Sequence, residues 1–306
     1  MNHDFEKINS KLLLFGEYTI LLDSSALAIP YTGFTGSLDF LSENSDTIEK
    51  KSHQILRSFI DFLKNTKIAN YFHLDNLCSD LDKGLYFLSN IPQKYGLGSS
   101  GALCAALVRK YGINELGKQS YSQLKQLFSS VESFFHGKSS GIDPIVIYLN
   151  APLLFEKDNI KKVKIPWGKI KSDGVSIFLL DTQNIADTAP LVNWFTSQLK
   201  VDEYKNELTK EYLFSLEKTI NEFLNFNPVR FKKEIQGLSM LQLKLFRPMI
   251  PKNIQHTWTE GLINDNYYLK LCGSGGGGFI LGFSFLTKEE LSNIFRNKSL
   301  KLTYIL

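Results

Sequence analysis

The chain has 306 residues, 43% hydrophobic, 22% charged and 13% aromatic. That balance excludes a wholly disordered, collagen-like or coiled-coil chain, and the length suits about two domains that need no disulfide or metal staple. The 35 Lys and Arg against 31 Asp and Glu leave a net charge of +4; both signs are interleaved, without the clustered cations of a nucleic-acid binder, so an anionic substrate is compatible with this charge but not required by it.

Residues 11–15 and 37–41 read as strands on their β-branched, aromatic and Leu content. Residues 49–64 place Ile55, Phe59, Ile60, Phe62 and Leu63 at helical spacing. A buried strand is predicted over 85–91, a helix with a small Ala-rich face over 100–111, a second helix over 121–135 that stops at Gly137, and a strand over 144–149. Beyond the charged stretch 161–171 follow a strand over 175–180 and helices over 189–199, 204–226 and 229–246. The last part reads as strand 267–272, a glycine run, strand 279–283, helix 288–296 and strand 300–305. There is no internal repeat and no low-complexity linker. The Lys-rich stretch near 161–173 is the best boundary, dividing 1–172 from 173–306, and the class is α+β with helices segregated from antiparallel strands.

Cys78, Cys104 and Cys272 are far apart and form no C-x-x-C, which suits a reducing compartment, and the five histidines are too scattered for a dedicated transition-metal site. The N-terminus lacks a signal-peptide pattern, and no stretch approaches the ~18 apolar residues of a membrane span. A soluble cytoplasmic protein is expected.

Three stretches carry chemistry. At 92–103 stands Pro-Gln-Lys-Tyr-Gly-Leu-Gly-Ser-Ser-Gly-Ala-Leu, in which Gly96, Gly98 and Gly101 formally satisfy G-x-G-x-x-G. A dinucleotide-binding reading needs this turn directly after the first strand of a βαβ unit, and here residues 92–95 intervene. Glycines still let backbone N–H groups face a ligand, and Ser99 and Ser100 open a helix whose N-terminus favours an anion, usually phosphate; a plain turn with an N-cap is the alternative. The segment from Gly112 through Gly117-Lys118-Gln119 resembles a P-loop, but it lacks the Mg²⁺-binding hydroxyl and reads as a turn between helices.

The second stretch, 273–278, puts five glycines and Ser274 between two strands. Two residues suffice for a hairpin, so close approach to a ligand or to another backbone explains the run better. The third runs from Glu132 to Asp143. Mg²⁺ bound with a nucleotide wants one or two carboxylates, and a hydroxyl acceptor wants a carboxylate to take its proton; blandly, Glu132 is a solvated helix acid and Asp143 a turn cap. Phe134, Phe135, Tyr267, Tyr268, Trp194 and Trp258 read as packing residues rather than a base-stacking platform. Cys104 reads as inert, whereas Cys272 abuts the glycine run, where thiol modification would block a site.

Together these stretches resemble the GHMP kinase superfamily. Motif one is Lys-Leu-Leu-Leu-Phe-Gly-Glu-Tyr-Thr-Ile-Leu at 11–21, motif two is 92–103, and motif three is Lys-Leu-Cys-Gly-Ser-Gly-Gly-Gly-Gly at 270–278. Segment 136–143 is similar to the mevalonate kinase segment bearing the catalytic aspartate, and 180–188 to a stretch near the acceptor. The resemblance implies a two-lobed fold, with a ribosomal-S5-domain-2-like N-terminal lobe, a ferredoxin-like C-terminal lobe and the site in the cleft between them. It implies ATP and Mg²⁺ as cofactors, with Asp143 and Lys11 catalytic. Lys94, Gly96, Leu97, Gly98, Ser99, Ser100 and Gly101 would contact the nucleotide, Ser100 and Glu132 would hold Mg²⁺, and Glu17, Tyr18, Ser140, Thr182, Gly273, Ser274 and Gly275 would face the acceptor. The expected reaction phosphorylates mevalonate to 5-phosphomevalonate. Tyr18 stands where mevalonate kinases usually carry His, and Ser139 where they carry Pro; Gly-Glu-Tyr and Lys-Tyr-Gly-Leu-Gly-Ser-Ser-Gly are more like phosphomevalonate kinases. A phosphomevalonate kinase, a GHMP kinase with another acceptor and a non-catalytic ligand-binding member are the alternatives. The expected partners are a small-molecule alcohol and ATP, with no nucleic acid and no membrane; a homodimer is left open.

Overall fold

The computed structural model describes residues 5–157, 159–185, 187–296, 298 and 300–305; the opening residues 1–4, read above as lacking a leader, lie outside it. In the N-terminal half the chain runs β1 (Ile8–Phe15), β2 (Ala26–Phe40), α1 (Thr47–Lys64), α2 (Leu74–Asp82), β3 (Leu85–Ser89), α3 (Ser99–Tyr111), α4 (Tyr121–His136), α5 (Ile142–Leu149), β4 (Leu153–Glu156) and β5 (Asn159–Lys162). Its sheet is antiparallel in the order β1-β2-β4-β5, with β3 also on β2. The 15-residue β2 organises it, meeting β4 through 26–28 and β3 through 36–40. Reciprocal capping boxes start α1 (Asp46 with Glu49) and α4 (Ser120 with Gln123).

Two helices are apolar all round and therefore buried. In α3, Ala102, Cys104, Ala105 and Ala106 present small side chains that let neighbouring backbones close in. The strand expected over 144–149 is instead α5. Its β-branched run, Ile145-Val146-Ile147, is buried as a helix packed on α3 and α4, and Pro144 sits in the first turn, where no intrahelical N–H is needed. The expected buried strand 85–91 ends at Ser89, with Leu88 exposed at its outer end.

The C-terminal half runs α6 (Trp167–Ser172), β6 (Ser176–Asp181), α7 (Thr188–Gln198), α8 (Asp202–Glu207), α9 (Leu213–Leu224), α10 (Pro228–Leu245), α11 (Lys252–Ile263), β7 (Tyr267–Leu271), β8 (Phe279–Ser284), α12 (Lys288–Arg296) and β9 (Lys301–Tyr304). A π-helical stretch, Leu208–Tyr212, joins α8 to α9. The sheet is antiparallel in the order β7-β8-β6-β9. Helices α2, α6 and α11 and strands β4 and β5 had no counterpart in the sequence reading, and the stretch taken as a boundary, 161–173, holds the end of β5 and the whole of α6.

The strands divide between Lys162 and Ser176, but the apolar core does not. Phe15 at the end of β1 packs on Phe223 of α9 and Phe283 of β8, at ring separations of 5.4 and 6.0 Å. Phe134 and Phe135 pack on Phe59, and Trp258, Tyr267 and Tyr268 are fully buried, as packing residues should be. Among the described residues, no helix is long and apolar enough to cross a membrane.

Candidate active site

The site grows from the end of one strand and the start of one helix. Lys11 on β1 donates its backbone N–H to the Leu97 carbonyl at 3.1 Å, which pins the glycine loop to the sheet. Leu97 buries its side chain, so only its main chain is offered to the cleft. Gly98 caps α3 at φ +75°, and a Cβ there would lie 3.0 Å from Lys11 Cγ and 3.4 Å from Asp143 Cβ. Both the backbone angle and the space demand glycine. The first turn of α3, from Ser99, directs backbone N–H groups toward this point, an arrangement suited to phosphate.

Asp143 arrives on the first turn of α5, and the missing side chain of Gly101 lets α5 lie against α3 there. Its Oδ1 is 2.8 Å from Lys11 Nζ; Lys11 is 3% exposed and Asp143 31%. Burial alone would pull the Lys11 pKa down, but the charge and hydrogen bond of Asp143 outweigh it and leave the pKa raised. The amine is therefore held as a cation, while the acid keeps an open side.

Glu132, near the end of α4, is 5% exposed, so it is no solvated helix acid. Ser100 Oγ donates to its Oε1 at 2.8 Å, and Ser139 Oγ donates to Oε2. Burial first, and then the negative charge of Asp143, raise its pKa to about 7 against the opposing hydrogen bonds of Ser139 and Ser100. Two carboxylates that repel each other beside a phosphate cradle, with a hydroxyl between loop and helix, form a donor set that fits Mg²⁺ held jointly with phosphate oxygens. Among the described residues no group of three or more His, Cys, Asp or Glu side chains could hold an ion unaided.

The opposite wall comes from the second glycine stretch. Gly273, at φ +99°, holds a backbone that side chains rarely adopt and lies against Gly96, while a Cβ on Gly278 would meet the Tyr95 backbone at 2.7 Å. The run thus serves close backbone contact. Tyr18 reaches this wall through its hydroxyl, which donates to the Ser274 carbonyl, while its ring packs on Phe195 and Phe246. Thr19 N–H bonds back to the Glu17 carbonyl at 2.7 Å around Tyr18, whose φ is 61° and ψ −45°. This is a positive-φ γ-turn, a rare and strained conformation. The Ser274 and Thr188 hydroxyls lie 2.9 Å apart.

The remaining expected residues are placed as follows. Glu17 is buried against Lys270 of β7, so its carboxylate ties the two sheets together. Thr182 is buried and donates to the Gly278 carbonyl at 2.8 Å. Ser140 is exposed, its hydroxyl accepting from Ile142 N–H at 3.4 Å. Lys94 is exposed and bridges to Asp187 at 2.6 Å. Cys272 is buried and its thiol is pushed up to about 11 by that burial, which corrects the expectation of an accessible, modifiable thiol. Lys270 and Ser139 were not read from sequence as site residues. A lysine inside the apolar run Tyr-Tyr-Leu-Lys-Leu is a signal for a buried partner, because lysine is almost never buried unpaired; Ser139 stood out only as a departure from the Pro of the resembling segment, with nothing to tie it to Glu132.

Residues 63–150 match the family model described as the GHMP kinases N terminal domain. Among curated protein sequences, none matches the chain. Solved structures share its fold over nearly its full length. Methanococcus jannaschii mevalonate kinase aligns with a TM-score of 0.64 at 20% identity, covering 99% of this chain and 98% of that one. Streptococcus pneumoniae phosphomevalonate kinase, in complex with phosphomevalonate and AMPPNP, aligns with a TM-score of 0.66 at 16% identity, covering 98% and 99%. Lactococcus lactis galactokinase, complexed with galactose, aligns with a TM-score of 0.63 at 14% identity, covering 99% and 93%. The segment that matches the family model contains the first glycine loop, Glu132 and Asp143, and the α+β, two-sheet fold around it is the one these solved structures share.

Proposed function

We propose that the protein transfers the γ-phosphoryl group of ATP to the primary hydroxyl of mevalonate, giving 5-phosphomevalonate. The observation that carries this reading is the Lys11–Asp143 pair, 2.8 Å apart, packed against the glycine that caps α3. Phosphoryl transfer asks a protein for positioning and charge neutralisation more than for covalent chemistry. The N–H groups of 96–101 and the N-terminus of α3 receive the phosphate tail. Asp143 presents its open side to the acceptor hydroxyl and accepts its proton, while the Lys11 ammonium steadies the oxygen as charge develops. Glu132 and Ser100 would hold Mg²⁺, which offsets charge on the phosphate oxygens when bound. The acceptor would sit against 273–275 and Tyr18.

One feature favours the second reading, a phosphomevalonate kinase: Lys94 stands exposed on the glycine loop, where a second phosphate would need a cation. Against it, that cation already has an acidic partner in Asp187. Incubation with ATP, Mg²⁺ and, separately, mevalonate, phosphomevalonate and galactose, with ADP release and product mass followed, decides the acceptor. Turnover of mevalonate is expected. Turnover of phosphomevalonate alone would replace it as the acceptor, and ATP binding without turnover of any alcohol would make the protein a ligand-binding member.

A further inference from the structure

Both oxygens of the Glu132 carboxylate are occupied by serine hydroxyls from different segments. Ser100, at the start of α3, serves Oε1, and Ser139, in the turn between α4 and α5, serves Oε2. Ser139 does more than meet the acid. Its hydroxyl also accepts the Gly141 N–H at 3.0 Å, and its carbonyl accepts the Ser129 hydroxyl at 2.6 Å. Two residues past that N–H stands Asp143. A single hydroxyl therefore touches the acid of α4 and the turn that delivers the acid of α5. Asp143 repels Glu132, so a carboxylate held only by Ser100 would be free to rotate away from the cleft.

We infer that Ser139 is a positioning residue: its hydroxyl fixes Glu132 in the orientation that binds the divalent cation, and so sets the cation affinity of the nucleotide complex. The inference rests on the functional reading above. Ligand-supporting hydrogen bonds of this kind are commonly worth about 10–100-fold in metal affinity.

The experiment titrates Mn²⁺ into the protein–ADP complex and reads free Mn²⁺ by electron paramagnetic resonance, alongside Mg²⁺-dependent turnover. Ser139→Ala is expected to weaken Mn²⁺ binding about tenfold and to raise the KM for Mg²⁺ in parallel, with kcat at saturating Mg²⁺ within about threefold of wild type. Ser139→Thr, which keeps the hydroxyl, is expected to restore both. Ser129→Ala removes the bond that anchors the same turn but leaves the carboxylate's partners in place, and is expected to bind Mn²⁺ like wild type. Ser139→Cys, a poorer donor of nearly the same size, covers an Ala variant that fails to fold. Unchanged Mn²⁺ affinity in Ser139→Ala and Ser139→Cys, or an equal loss in Ser129→Ala, overturns the inference while leaving the kinase reading intact. Failure of the wild-type protein to bind Mn²⁺ with ADP would remove both.

Discussion

Two lysine–carboxylate pairs connect distant parts of this chain, and they differ in one respect. Lys270 and Glu17 are sealed at 0% and 1% side-chain exposure, whereas in the Lys11–Asp143 pair the amine is 3% exposed and the acid 31%. The sealed pair joins the second sheet to the turn after β1 and offers no exposed face to a ligand. The other keeps its cation buried and opens its anion toward the glycine loop. An ion pair turns from a structural tie into a reagent when one partner retains access to something outside the fold.

The largest effect should come from breaking the open pair. Asp143→Asn is expected to lower kcat by about 10²–10⁴-fold with nucleotide binding retained, as single-turnover transfer and ADP titration would show. Lys11→Met should also cripple turnover, and a near-wild-type rate in either variant would remove that residue from the chemistry. The sealed pair should respond in stability instead. Lys270→Met leaves Glu17 charged and unpaired in the core, at a cost of about 3–5 kcal/mol in urea unfolding, and Glu17→Leu added to it should recover much of that loss. If Lys270→Met were to leave stability unchanged and abolish turnover, the division of labour between the pairs would be reversed.

The smallest effect concerns Glu132. The folded carboxyl takes its proton near pH 7, whereas a glutamate in an unfolded chain does so near 4.5. The native state therefore holds the extra proton between these values, and stability falls as pH rises from about 4.5 to about 7. Glu132→Gln should raise the Tm at pH 8, by a margin that shrinks toward pH 5. In the wild type the apparent KM for Mg²⁺ should climb as pH drops below about 7, because the protonated carboxyl is a poor ligand; a flat KM across that range would detach Glu132 from the metal.

Much of this was legible in the sequence because its signals are local. Glycine spacing at 96–101 and the Ser-Ser helix start lie within one stretch and the acids at 132 and 143 within another, and the structure gathers Lys11, Gly98, Ser100, Glu132 and Asp143 at one point. What escaped was decided by packing. Ile145-Val146-Ile147 is strand-like by composition, and a short apolar run buried on every side has no periodicity to separate strand from helix. Helix α2 went unread for a different reason: Leu74, Leu77, Cys78 and Leu81 do fall at helical spacing, but over only nine residues, with the first and third of them half-buried. Glu17 was assigned to the acceptor by resemblance, but its carboxylate is met by a lysine far along the chain, a pairing that no local pattern encodes.

The contact of Gly96 with Gly273 has a mechanical consequence. Two main chains at van der Waals distance cannot be pressed closer, so the first glycine loop has no room to recoil toward the second without carrying that loop along. A displacement of one glycine loop is thereby passed to the other by main chain alone, with no side chain between them to absorb it.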